Sequence, residues 1–233
     1  MTPERPLCLI VPGLDNSGPD HWQSLWESRR DDCRRVDLGC WSEPDRRVWT
    51  ERLDAALAMT DGPLILVAHS LGCLTIAWWA LGADHRRLMR VRGALLVAPP
   101  DVDSADAHPF VRRFAPAPVA PLPFRSILVA SRNDCYAPFD RLELLARAWG
   151  SRFVDAGHVG HVNAESRLGY WADGEVLLDE LIEGHAARHG NRTPVPSKRF
   201  AGEDLGSRPM FRSRGRSRCE QKAVSTVGQV PND

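Results

Sequence analysis

Pro63-Leu64-Ile65-Leu66-Val67-Ala68-His69-Ser70-Leu71-Gly72-Cys73-Leu74 is the stretch whose reading decides the fold. An apolar run of the length of one buried strand meets a tight turn at Ser70 and continues as a helix predicted over 71–81. Small residue, x, Ser, x, Gly between a strand and a helix is the pattern of a nucleophile elbow, whose neighbours stay small because strand and helix pass close together. Here the first small residue is Ala68 rather than glycine, and a methyl group there requires room against the facing backbone.

The same alternation extends outward in both directions. Upstream, residues 8–12 form an apolar run closed by Pro12-Gly13, a strand followed by a turn. Beyond a loop over 13–20, Trp22, Leu25 and Trp26 fall at helical spacing, with Asp20 as the expected N-cap. Residues 35–38 read as a second strand, and Trp49, Leu53, Ala56 and Leu57 mark an amphipathic helix ending near Asp61-Gly62. Downstream, 93–100 is a fourth apolar run, 126–130 a fifth strand, 141–149 a helix and 152–154 a short sixth strand. The intervening 101–123 carries Pro116, Pro118, Pro121 and Pro123 and reads as an extended crossing, not a lid domain. A last helix is expected over 175–187, with Val176, Leu177, Leu178, Leu181 and Ile182 inward. Strands alternating with helices predict an α/β fold: a mostly parallel sheet of about six strands flanked by helices, with no separate lid.

The chain of 233 residues is long enough for one such domain, expected over 1–189, and a tail over 190–233. From Asn191 onward nine Lys or Arg stand against four Asp or Glu, so a formal charge of zero divides into a basic tail and an acidic body. The tail has few large apolar residues and reads as disordered. An acidic body argues against nucleic acid as the partner. The start, Met1-Thr2-Pro3-Glu4-Arg5-Pro6, lacks an apolar targeting segment, and no apolar run approaches the roughly 18 residues that cross a membrane. A cytoplasmic protein is the expectation. Cys8, Cys33, Cys40, Cys73, Cys135 and Cys219 show no C-x-x-C spacing, which suits reduced thiols better than disulfides or zinc.

A serine hydroxyl becomes a nucleophile only when a base takes its proton, and the base needs a partner that fixes its tautomer. On a sheet entered through such an elbow the three follow in the order Ser, acid, His, each in a loop at the carboxyl end of a strand. The chain offers Ser70, then Asp134 after the fifth strand, then a histidine after the sixth. For the acid, Asp101 after the fourth strand is the rival and Asp155 a weaker one. For the base, spacing leaves His158 and His161 open, since both lie in one loop. The backbone N–H groups of Leu71 and Leu14 are the expected oxyanion donors, and the helix beginning at Leu71 adds its positive end. His69 reads as a structural neighbour of the elbow and Cys73 as a small apolar helix residue. Trp22, Trp26, Trp78 and Trp79 read as core rather than as a substrate pocket. Two histidines three apart without a third ligand cluster do not make a metal site, and no cofactor is implied.

Taken together, Pro12-Gly13-Leu14 with His21-Trp22-Gln23, Ala68-His69-Ser70-Leu71-Gly72, Val97-Ala98-Pro99, Ala130-Ser131-Arg132-Asn133-Asp134 and Gly160-His161-Val162-Asn163-Ala164-Glu165-Ser166 form a specific set. Over about 7–183 the chain resembles the serine hydrolase family, compact α/β-hydrolases of the retinoblastoma-binding protein 9 type. The resemblance implies Ser70 as nucleophile, Asp134 as acid and His161 as base. It further implies an acyl-serine route acting on small carboxylic esters, without a cofactor. Cys135, Arg167 and Ala172 depart from it, standing where Pro, Gly and Pro are expected. A binding protein on the same fold, or an acyl or thioester transferase with the same three residues, are the alternatives.

Overall fold

The computed structural model describes residues 5–184. Its elements run β1 (Leu7–Val11), α1 (Trp22–Arg29), β2 (Cys33–Arg35), α2 (Arg46–Ala58), β3 (Leu64–His69), α3 (Leu71–Gly82) and α4 (His85–Arg90). β4 (Val91–Val97), α5 (Pro109–Arg112), β5 (Ser126–Ala130), α6 (Phe139–Trp149), β6 (Arg152–Asp155) and α7 (Ala172–Glu183) follow. The six strands form one sheet in the order β2-β1-β3-β4-β5-β6, and every neighbouring pair is parallel.

A parallel sheet covered on both faces needs strands apolar throughout, and every residue of β3 and β5 is buried. Successive side chains point to opposite faces. Leu64, Leu66 and Ala68 therefore join Leu9 and Val11 on the face packed with Trp49, Leu53, Leu57, Leu74 and Trp149, from α2, α3 and α6. Ile65 and Val67 join Cys8 and Ile10 on the other, with Trp22 and Trp26 of α1 and Leu177, Leu178 and Leu181 of α7. Each fully buried Leu, Ile or Val stabilises the fold by about 1.5–3 kcal/mol relative to exposure.

Local differences from expectation have physical causes. The second strand forms over Cys33–Arg35 instead of 35–38. Val36 N–H still donates to Ile10 O at 2.9 Å, but the next rung would need an N–H from Pro12, which has none. Asp20 does not cap α1. His21 does, its Nδ1 accepting from Gln23 N–H at 3.1 Å. β4 begins two residues before Gly93 and stops at Val97, because Ala98 turns to φ +50°. On α7 the buried stripe is Gly174, Leu177, Leu178 and Leu181, and Val176, one position off it, is exposed. The short helices α4 and α5 carry no clear periodicity. The crossing between β4 and β5 holds only α5, and it is tied to the core by Trp78 Nε1–H to Phe114 O (2.8 Å) and Trp149 Nε1–H to Pro118 O (2.7 Å). The basic tail expected over 190–233, and the last residues of the helix expected to reach 187, lie outside the described residues.

Candidate active site

The sheet order reverses beside β1 and β3, where a doubly wound sheet opens a crevice at its carboxyl edge. Ser70 stands there, between the end of β3 and the start of α3, at φ +53° and ψ −125°. A non-glycine residue in that region costs on the order of 1–3 kcal/mol and needs surrounding structure to hold it. Ser70 N–H donates to Val97 O at 2.9 Å, and its carbonyl accepts from Cys73 N–H at 3.0 Å. Gly72 brings the first turn of α3 against β1: a Cβ there would sit 2.2 Å from Val11 O and 2.6 Å from Pro12 O. Gly13 does the same for the first loop, where a Cβ would lie 2.8 Å from Ser70 Cβ and 3.2 Å from Leu71 N. Ala68 is an ordinary strand residue, paired with Val11 and Leu96 and fully buried. Its methyl group packs into the same core as Val11, Leu71 and Leu96, so the elbow accommodates it.

His161 Nε2 lies 3.0 Å from Ser70 Oγ, and His161 Nδ1 lies 2.8 Å from Asp134 Oδ2. The Asp134 side chain is wholly buried, and its Oδ1 accepts Tyr136 N–H at 2.9 Å. The Asp134 carboxylate accepts a hydrogen bond from Nδ1–H, which leaves Nε2 as the acceptor facing the serine hydroxyl. The rival residues are engaged elsewhere. Asp101 pairs with Arg141 at 3.2 Å, Asp155 pairs with Arg132 at 2.6 Å, and His158 is exposed. The Cys73 thiol is buried, and burial pushes its pKa up, away from nucleophilic use.

The loop carrying His161 is held by side chains that the sequence reading did not single out for this task. Ser131 Oγ donates to Asn133 Oδ1 at 2.9 Å and accepts Val159 N–H at 3.0 Å, while Asn133 Oδ1 also accepts Gly160 N–H at 2.8 Å. Arg132 N–H reaches Gly157 O at 2.6 Å, and Trp22 Nε1–H reaches Val162 O at 2.8 Å. His69 Nε2 lies 2.9 Å from His161 O. Burial holds the His69 pKa well below 6.5, with the His161 charge acting the same way, so His69 is neutral and donates Nε2–H to that carbonyl. His21 packs against it edge-on at 4.7 Å, and burial, with Arg35 and then His161, lowers its pKa to about 4. The Ser-x-Asn spacing ahead of Asp134 was a readable sign of backbone-bridging side chains. The loop they bridge to was not readable.

For an oxyanion, Leu71 N–H opens α3 and Leu14 follows Gly13 in the first loop. That loop is a tight turn, with Asp15 and Asn16 both at φ +62°, Asn16 N–H on Gly13 O (3.1 Å) and Asp15 N–H on Trp41 O (3.0 Å). Trp22, Trp26 and Trp79 are buried, and Trp78 lies under the Arg46 guanidinium at 4.0 Å, so all four pack as core or half-buried side chains. Among the described residues one group has metal-ligand proximity, Cys8, Asp32 and Cys33. It suits zinc poorly: Asp32 is held by Arg30 and Arg5 at 2.9 Å each, and a hydrogen bond with Cys33, then burial, push the Cys8 thiol pKa up and keep it protonated.

Compared with known families, residues 8–180 match the serine hydrolase family. Among curated proteins none matches. Among solved structures the chain is similar to a ydeN-like hydrolase of Pectobacterium atrosepticum, at 32% identity and TM-score 0.68, over 77% of this chain and 91% of that one. The ydeN gene product of B. subtilis shares the fold at 20% identity and TM-score 0.58, over 75% of this chain and 97% of that one. Alpha/beta hydrolase domain-containing protein 10 from mouse does so at 16% identity and TM-score 0.59, over 79% and 92%.

Proposed function

The chain belongs to the serine hydrolase family of α/β-hydrolases, and we propose that it cleaves small carboxylic esters through an acyl-serine intermediate on Ser70. The observation that carries this reading is the unbroken row of hydrogen bonds from Ser70 Oγ through His161 to Asp134, at 3.0 and 2.8 Å. His161 Nε2 takes the hydroxyl proton as Oγ attacks the ester carbonyl. The carbonyl oxygen becomes an oxyanion received by the Leu14 and Leu71 N–H groups, each worth about 2.7–4 kcal/mol of barrier in comparable sites. Collapse breaks the bond to the alcohol oxygen, which leaves with the proton from His161. Water then repeats the sequence on the acyl-serine and restores Ser70. Asp134, ionised and buried, stabilises the imidazolium formed in both halves. The route needs no cofactor, and its partner is a small-molecule ester.

The finer kinship to the retinoblastoma-binding protein 9 type rests on the motif set, with Cys135, Arg167 and Ala172 as its departures. The thiols of Cys8, Cys33, Cys40 and Cys73 suit a cytoplasmic setting, and no described helix is long and apolar enough to cross a membrane. A fluorophosphonate probe tests the assignment. The native protein is expected to be labelled on the peptide containing Ser70 and Ser70→Ala not at all. Equal labelling of both would sink the reading and leave a binding protein on a hydrolase fold.

A further inference from the structure

Tyr136, two residues after Asp134, is 50% exposed and stands beside the His161 ring. Its ring centroid lies 4.4 Å from that of the His161 imidazole, with the planes 54° apart. The backbone that carries the ring is fixed. Tyr136 N–H is bonded to Asp134 Oδ1 at 2.9 Å, and Tyr136 O accepts Asp101 N–H at 3.0 Å, so the residue is registered to the acid and to the segment after β4. Among the described residues the imidazole's other close ring is His69, at 4.9 Å and 59°, and His69 is buried. The His161 side chain keeps 10% of its surface exposed, and the exposed ring beside it is that of Tyr136.

The chemistry says which part of an ester that is. When Ser70 Oγ bonds to the acyl carbon, the carbonyl oxygen turns toward the Leu14 and Leu71 N–H groups. The departing alcohol oxygen must then receive a proton from His161 Nε2, at a separation of about 2.6–3.2 Å. The alcohol's substituent consequently begins next to the imidazole, and the acyl chain does not. We propose that Tyr136 lines the leaving-group side and makes esters of aromatic alcohols the preferred substrates, the phenol ring packing against the alcohol's ring. The step balances without further reactants: the Oγ–acyl bond forms, the acyl–alcohol bond breaks, and the serine proton ends on the alcohol. An added aromatic pair raises the rate constant for its ester roughly three- to tenfold.

This inference rests on the esterase reading, and one set of measurements separates the two. kcat/KM is compared for benzyl acetate, ethyl acetate and ethyl butyrate in the native protein, Tyr136→Phe and Tyr136→Leu, the last keeping bulk without a ring. The native protein and Tyr136→Phe are expected to favour benzyl over ethyl acetate about tenfold, and Tyr136→Leu to lose that advantage to within about twofold. The butyrate to acetate ratio is expected to be the same in all three. Benzyl alcohol, added as product, is expected to inhibit the native protein several-fold more strongly than it inhibits Tyr136→Leu. Turnover of these esters without a benzyl preference, a uniform loss in Tyr136→Leu, or a shift in the acyl ratio instead would each overturn the assignment. Turnover of none of them by the native protein would overturn the esterase reading itself.

Discussion

His21 shows how a single side chain serves two ends. Its Nδ1 caps α1 by accepting Gln23 N–H, which requires the other nitrogen to carry the proton, and that Nε2 is buried without a partner among the described residues. The ring is thus held neutral, with its pKa lowered from 6.5 to about 4 by burial and by Arg35. An unfolded chain takes up a proton as pH falls through 6.5, whereas the folded one resists until about 4. Stability is therefore complete above pH 6.5 and declines between 6.5 and 4, by about 3 kcal/mol from this group. Asn is an equally good N-cap and does not titrate. His21→Asn should accordingly lose about 2–3 kcal/mol less than the native protein between pH 7.5 and 4.5, measured by urea unfolding. Equal losses would mean that another group carries the acid sensitivity; His69, also held neutral by burial, remains in both proteins.

At the scale of elements, the junction of β3 and α3 is the demanding one, and its two glycines on α3 are not equivalent. Gly72 has the Val11 and Pro12 carbonyls where a Cβ would go, whereas Gly82, at the far end of the same helix, has nothing within 4 Å. Gly72→Ala should destabilise by at least about 2–3 kcal/mol, because backbone rather than a movable side chain must shift. Gly82→Ala should be neutral or stabilise by about 0.5–1 kcal/mol. Thermal melts of the two variants check this, and a tolerated Gly72→Ala would mean that α3 can retreat from β1. The approach matters for chemistry as well as stability, since it sets Leu71 N–H beside the first loop. Ala68 differs from Gly72 in facing the core between strand and helix instead of a neighbouring carbonyl, which is why that position accepts a methyl group.

At the scale of the molecule, sheet order decides which strand ends meet. β4 lies next to β3, yet the carboxylate that follows it, Asp101, is drawn to Arg141 in an ion pair. β5 and β6 stand farther along the sheet, but their loops are laced together by Ser131, Asn133 and Arg132 and reach back to Ser70 as one unit. Asp134→Asn should lower kcat by about three to four orders of magnitude, because an amide donating to Nδ1 favours the imidazole tautomer whose proton sits on Nε2, facing the serine. Asp101→Asn should cost less than about tenfold, since it breaks only a partly exposed ion pair. Steady-state kinetics on a short ester compares them, and the reverse ranking would move the acid to the end of β4. The strand and helix alternation and the elbow at Ser70 were legible in the chain, because each rests on periodicity or turn chemistry within about a dozen residues, and Asp134 and His161 were legible as candidates because each follows a strand. Spacing alone could not separate His158 from His161, or see that Tyr136 would lie beside the His161 ring and His69 bond the carbonyl of the residue 92 positions later. The sequence by itself determined the elements and the candidates. Only the tertiary structure decided which candidates touch, because hydrogen bonds spanning 91 and 27 residues depend on how strands order in the sheet, and no local pattern encodes that order.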